Sequence, residues 1–132
     1  IKLDEVMAKA LEALPGRKIV FTNAATNYAR KVIEHLGIDH HMEDIFDIVD
    51  AGYIPKPAPE VYTQFIEKFD VDPTRAVMVE DMARNLAPAA KMGMKTVWVE
   101  TGRPWSHSEV EDIMPDYTTD NLSNWLAEVV GH

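Results

Sequence analysis

The sequence predicts an α/β domain built on a mainly parallel sheet. Two observations carry this. Short apolar runs alternate along the chain with stretches of helical periodicity. One of those runs, Ala76-Val77-Met78-Val79, is continuously apolar, as in a strand buried on both faces. With 132 residues, 46% of them apolar, the chain has enough to build one core.

The elements follow in order. Leu3, Val6, Met7, Ala10, Leu11 and Leu14 recur at helical spacing, and Pro15-Gly16 stops that helix. Lys18 to Thr22 reads as a strand. Tyr28, Val32, Ile33 and Leu36 form the next helical face, closed by Gly37 as C-cap. Residues 45–49 read as a weaker strand before Ala51-Gly52. Pro57 and Pro59 open a helix whose inner face is Val61, Tyr62, Phe65, Ile66 and Phe69. After the strand at 76–79, Asn85 is expected to cap a short helix that carries Pro88 in its first turn and ends at Gly93. Lys95 to Val99 is the next strand and 101–116 a loop. Asp116 to Thr118 is a short last strand. Asp120 then caps a final helix with Leu122, Trp125, Leu126 and Val129 inward.

Composition excludes several functions. A net charge of −9 repels nucleic acid polymers at long range. The absence of cysteine removes disulfides and thiolate zinc sites, and fits a cytoplasmic protein. No apolar run approaches the ~20 residues that span a bilayer, so no membrane partner is expected. No signal-peptide pattern opens the chain, and the first residue is Ile1 rather than Met, which suggests a product of something longer.

Ligands of parallel sheets bind beyond the carboxyl ends of the strands. Three places qualify. At Thr22-Asn23 a hydroxyl and following N–H groups could grip phosphoryl oxygens, or Thr22 simply caps a helix. Lys56 lies among Pro55, Pro57 and Pro59, which stiffen its backbone. It is either a mounted ammonium for a phosphoryl group or a solvated Lys in a Pro-rich turn. Glu80-Asp81 directly follow an apolar strand, where carboxylates are costly without a cation or hydrogen bonds. Mg²⁺ takes one or two carboxylates plus water and phosphate oxygens, and Asn85 could hold a metal-bound water. The alternative is an acidic helix entry.

In combination these segments resemble the haloacid dehalogenase (HAD) superfamily of phosphohydrolases. Its second motif, a strand ending in Thr or Ser, matches Ile19-Val20-Phe21-Thr22-Asn23. Its third, a Lys, matches Lys56 in Lys-Pro-Ala-Pro-Glu. Its fourth, a strand ending in acids, matches Val79-Glu80-Asp81. Phe-Thr-Asn-Ala and Glu-Asp-Met-Ala-Arg-Asn-Leu look like the pyrimidine 5′-nucleotidase branch. The resemblance implies a Rossmann-like three-layer α/β/α core and an aspartyl-phosphate mechanism on a small phosphate monoester. It implies Mg²⁺ bound directly by Asp81, with Glu80 helping through water. It gives Thr22 and the Asn23 N–H to the phosphoryl group and Lys56 to both nucleophile and phosphate.

The family's first motif, Asp-x-Asp-x-Thr after an apolar strand, is not in this sequence. Asp44, Asp47 and Asp50 are three apart, and Asp70 and Asp72 read as a turn before Pro73. In the family that strand lies between those ending at Val79 and Thr22, so the core is expected to be incomplete. The chain then reads as the C-terminal part of a longer core, with residues 1–16 a helix leading in from the cap. Its partner would be the missing N-terminal segment of the same protein, and the chain alone would be inactive. Other readings are a phosphatase for a sugar phosphate or phosphoglycolate, and a non-catalytic module of the same fold. A phosphoacceptor receiver places its acids before Thr and Lys, the reverse of the order here. The five histidines make no metal site by spacing, and adjacent His40 and His41 should point apart. Trp98, Trp105 and Trp125 read as core or loop anchors.

Overall fold

The computed structural model describes residues 2–102 and 114–131. Trp105, His107 and most of the 101–116 loop lie outside the described residues. The chain forms two compact units, Ile1–Tyr53 with Asn121–His132, and Ile54–Asp120.

In the first unit, α1 (Glu5–Ala13), β1 (Ile19–Phe21), α2 (Thr26–Leu36), β2 (Asp44–Phe46) and α5 (Leu122–Val130) surround one core. β1 and β2 pair in parallel, Ile19 opposite Asp44 and Phe21 opposite Phe46. Ala10, Leu11, Ala29, Ile33, Ile38, Ile45 and Leu126 are buried together, with Met7, Val20 and Trp125 packed on them. Gly37 ends α2 at φ 77°, a left-handed conformation that glycine adopts without a Cβ penalty.

The apolar faces are narrower than the periodicity suggests. Leu3, Val6, Tyr28 and Val129 are exposed, and Val130 packs on the core in place of Val129. The last helix is capped by Asn121, whose side chain accepts the Asn124 N–H, and not by Asp120. Either residue has the chemistry of a cap; the neighbour one position nearer the helix takes it. His40 and His41 share a tight 3-10 turn, so their rings lie 4.0 Å apart and do not diverge as on a regular element.

No side chain of its own caps α2. Asp47, just past β2, does so from a distance. Its Oδ2 accepts the Thr26 N–H at 2.9 Å and the Thr26 hydroxyl at 2.7 Å, while Oδ1 accepts the Asp50 N–H at 2.9 Å. The Asp50 N–H and the Thr26 hydroxyl, which bind the ionised form, outweigh burial and hold the Asp47 carboxyl at about 2. A depressed carboxyl stabilises above its unfolded value of 3.8, and this contribution is lost as pH falls from there toward 2. Asp47→Ala should cost about 1–2 kcal/mol in urea unfolding at pH 7, with the difference closing in acid.

The second unit contains α3 (Pro59–Phe69), β3 (Val77–Glu80), α4 (Ala87–Lys91), β4 (Lys95–Val99) and β5 (Tyr117–Thr119). The sheet is parallel throughout, in the order β3-β4-β5, with Val77 opposite Lys95 and Glu80 opposite Trp98. Pro59 opens α3, whereas Pro57 stands before it after a cis Lys56–Pro57 bond. Asn85 caps nothing: a 3-10 turn over Ala83–Leu86 leads into α4, and Leu86 is its N-cap. Pro88 does sit in the first turn.

β3 is not buried on both faces. Met78 packs on Ala83, Leu86 and Trp98, but Val77 and Val79 on the other face are 57% and 40% exposed. β3 also has a hydrogen-bonded neighbour on one side only, as β1 has in its own sheet. These are the two strands between which the Asp-x-Asp strand was expected.

Candidate functional site

β1 delivers Thr22 and Asn23. The Thr22 N–H continues the ladder to the Phe46 carbonyl at 3.0 Å. The Thr22 hydroxyl accepts the Ala24 N–H at 3.0 Å, folding the chain back on itself just after the strand. The hydroxyl therefore shapes a local turn and does not cap α2, whose first turn is held by Asp47. Asn23 is exposed in that turn.

The second unit brings Lys56, Glu80 and Asp81 together. Lys56, 8% exposed, follows Pro55 and precedes the cis Pro57. Its Nζ donates to Glu80 Oε2 at 2.8 Å, and both side chains are almost fully enclosed. A solvated turn lysine is therefore excluded. Withdrawing two ions from water costs several kcal/mol each, and only good geometry with further hydrogen bonds offsets it. Glu80 has those bonds. Its Oε1 accepts the Met82 N–H at 3.1 Å. Burial pushes the Glu80 carboxyl up, but the Lys56 ammonium together with hydrogen bonds from Asp81, Lys56 and Met82 brings it below its ordinary value.

Asp81 moves the other way. Burial, then the hydrogen bond and charge of Glu80, hold its carboxyl above the ordinary range. With both carboxylates ionised, the pair carries one negative charge more than Lys56 neutralises, and Asp81 bears the strain. Nearby in sequence, Asn85 is 4% exposed, and its Oδ1 is buried without a hydrogen-bond partner. Such an atom costs about 1–3 kcal/mol unless something binds it.

Mg²⁺ fits these donors. It takes hard oxygen ligands, needs only one or two carboxylates, and keeps several waters. Asp81 would hold the ion with Glu80 beside it, and the orphaned Asn85 amide oxygen is an unsatisfied acceptor of the kind that takes a water. Among the described residues there is no cluster of three or more His, Cys, Asp or Glu side chains of the kind that holds a metal by protein ligands alone. Two further residues contribute polar atoms that their spacing does not signal. Tyr62 belongs by spacing to the apolar face of α3, yet its hydroxyl donates to the Asn85 carbonyl. Trp98 reads from sequence as an anchor, yet its Nε1–H donates to the Asp81 carbonyl at 3.1 Å. Their polar atoms, unusual in so buried a place, were the available signal.

A family model for haloacid dehalogenase-like hydrolases matches residues 1–93. The chain belongs to this family. As a HAD-like hydrolase it is 33% identical over 72 residues to the glyceraldehyde 3-phosphate phosphatase of Pyrococcus furiosus, a stretch covering 54% of this chain and 30% of that protein. It is 34% identical over 73 residues to protein CbbY of Cereibacter sphaeroides, covering 53% and 31%. The matched stretch spans about a third of these relatives' length. Among solved structures, the HAD phosphatase from Thermococcus onnurineus superposes with a TM-score of 0.69 at 24% identity, over 93% of this chain and 55% of that one. The HAD-hydrolase YfnB from Bacillus subtilis, solved bound to magnesium, gives 0.76 at 18% identity, over 97% and 54%. At such identities these likenesses show the shared α/β fold. No helix among the described residues is long and apolar enough to cross a membrane.

Proposed function

We propose that this chain supplies the metal- and phosphate-binding part of a Mg²⁺-dependent HAD phosphomonoesterase. The observation that carries this is the buried Lys56–Glu80 ion pair with Asp81 directly beside it, the Asp81 carboxyl held above its ordinary range by burial and by Glu80. In this reading Asp81 binds the metal directly, Glu80 acts through water, and Asn85 orients a metal-bound water. Bound Mg²⁺ would withdraw charge from the phosphoryl oxygens. Lys56 would neutralise the phosphoryl group in flight. By the family resemblance, Thr22 and the Asn23 N–H would bind phosphoryl oxygens. The nucleophile of an aspartyl-phosphate route would come from an Asp-x-Asp strand of the same protein outside these 132 residues.

We assign a nucleoside 5′-monophosphate as substrate, on the pyrimidine 5′-nucleotidase-like segments Phe21-Thr22-Asn23-Ala24 and Glu80 to Leu86. A second reading, a phosphorylated small sugar or aldehyde, is favoured by the likeness to glyceraldehyde 3-phosphate phosphatase. Assay of full-length protein against both classes, with Mg²⁺ or EDTA, tests the proposal. EDTA should lower phosphate release by at least about a hundredfold, since metal stabilisation contributes several kcal/mol. Release that EDTA leaves unchanged would sink it. The 132-residue chain alone should release no phosphate.

A further inference from the structure

Two side chains place polar atoms where a purely apolar core would serve for packing. Tyr62 on α3 is 1% exposed and Trp98 on β4 is 8% exposed. Both polar atoms are aimed at the main chain of the acidic loop. The Trp98 indole N–H donates to the carbonyl of Asp81, and the Tyr62 hydroxyl to the carbonyl of Asn85. These two carbonyls bracket the segment from the direct metal candidate to the orphaned amide. The placement follows from the sheet. Trp98 is the register partner of Glu80, the last residue of β3, so its indole reaches the first residue beyond the ladder. Within the bracket, the Asn85 N–H donates to the Met82 carbonyl at 2.9 Å, and the Met82 N–H holds Glu80. The loop is thus tied at both ends and in the middle.

We propose that Trp98 and Tyr62 are positioning residues for a divalent-cation site at Asp81. By fixing the two carbonyls they fix the peptide planes that aim the Asp81 carboxylate and the Asn85 amide before the cation arrives. Outer partners of this kind typically govern metal affinity by ten- to a hundredfold. The inference rests on the metal reading given above and goes beyond it, because it gives a role to two side chains outside the donors named there, acting through the main chain.

The test removes one polar atom at a time. Trp98→Phe and Tyr62→Phe keep an aromatic ring in the core and delete the N–H or O–H. Mn²⁺ alone is titrated into full-length protein, and free Mn²⁺ is read by electron paramagnetic resonance. Circular dichroism confirms that each variant is folded at the titration temperature. Each variant should bind Mn²⁺ about tenfold or more weakly. Tyr28→Phe, at an exposed tyrosine of α2, should bind as wild type. Tyr62→Phe is the closer isostere and decides the matter if Trp98→Phe does not fold. Wild-type binding abolished by Asp81→Asn, but unchanged within twofold in the folded Phe variants, overturns the positioning role alone. Wild-type protein that binds no Mn²⁺, or binding that survives Asp81→Asn, overturns the metal reading and this inference with it.

Discussion

Asp81→Asn should lower Mg²⁺-dependent phosphate release by full-length protein at least about a hundredfold, while raising the thermal midpoint of the metal-free protein. The two expectations come from the same cause. Asn keeps the shape and one oxygen of the side chain but removes the charge that attracts the cation, so metal stabilisation worth several kcal/mol is weakened. The raised Asp81 carboxyl supplies the second expectation. A group whose folded pKa lies above its unfolded value of 3.8 costs stability once it is ionised, and that cost grows as pH rises through the folded value. Asn carries no such cost at neutral pH. A residue kept for structure would give the opposite result on melting. Lower midpoint together with unchanged turnover would remove Asp81 from the site.

Lys56→Met should destabilise the folded chain by about 3–5 kcal/mol at neutral pH, because it leaves the Glu80 carboxylate buried without its ammonium. Met preserves most of the side-chain length, so the loss reports charge more than volume. The pH dependence gives the sign. In the wild type Glu80 is depressed, so its stabilisation is present above the unfolded value of 4.5 and fades as pH falls. Without Lys56 the largest remaining influence is burial, which pushes the carboxyl up and lets it take a proton in mild acid. The gap between the two proteins should therefore narrow as pH falls below neutral. Adding Glu80→Gln should recover part of the loss, since it removes the stranded charge. Urea unfolding from pH 4 to 8 measures all three proteins. A gap of under about 1 kcal/mol at pH 7, the range of solvent-exposed ion pairs, would mean that the ion pair is solvated after all.

Local signals were read well where local physics decides. β4 runs from Lys95 to Val99 as its composition suggests, Gly37 closes α2, and Pro59 opens α3. The order of Thr22, Lys56 and Glu80-Asp81 was legible because each follows its own apolar segment. What the sequence hid was pairing at a distance. Lys56 and Glu80 meet across 24 positions, and Asp47 caps a helix 21 positions upstream. No periodicity encodes either. The two-sided burial read into Ala76–Val79 failed for a related reason. An apolar run shows that a strand can be covered, and only the neighbouring elements decide whether it is. Asn85 has the residue type of a cap, yet it lies inside a 3-10 turn, and its buried side-chain oxygen has no partner.

The open face of β3 has a practical consequence for anyone handling the chain. Val77 and Val79 stand exposed on an edge strand rich in β-formers, the kind of segment that recruits identical copies into aggregates. Charged residues flank it on both sides, Arg75 before and Asp81 after. Such gatekeepers oppose self-association of the strand. Glu80 is enclosed and ion-paired with Lys56, so Asp81 is the acid of the pair that would add to this opposition. Variants that neutralise Asp81 belong in dilute stocks, and light scattering should accompany any assay made on them.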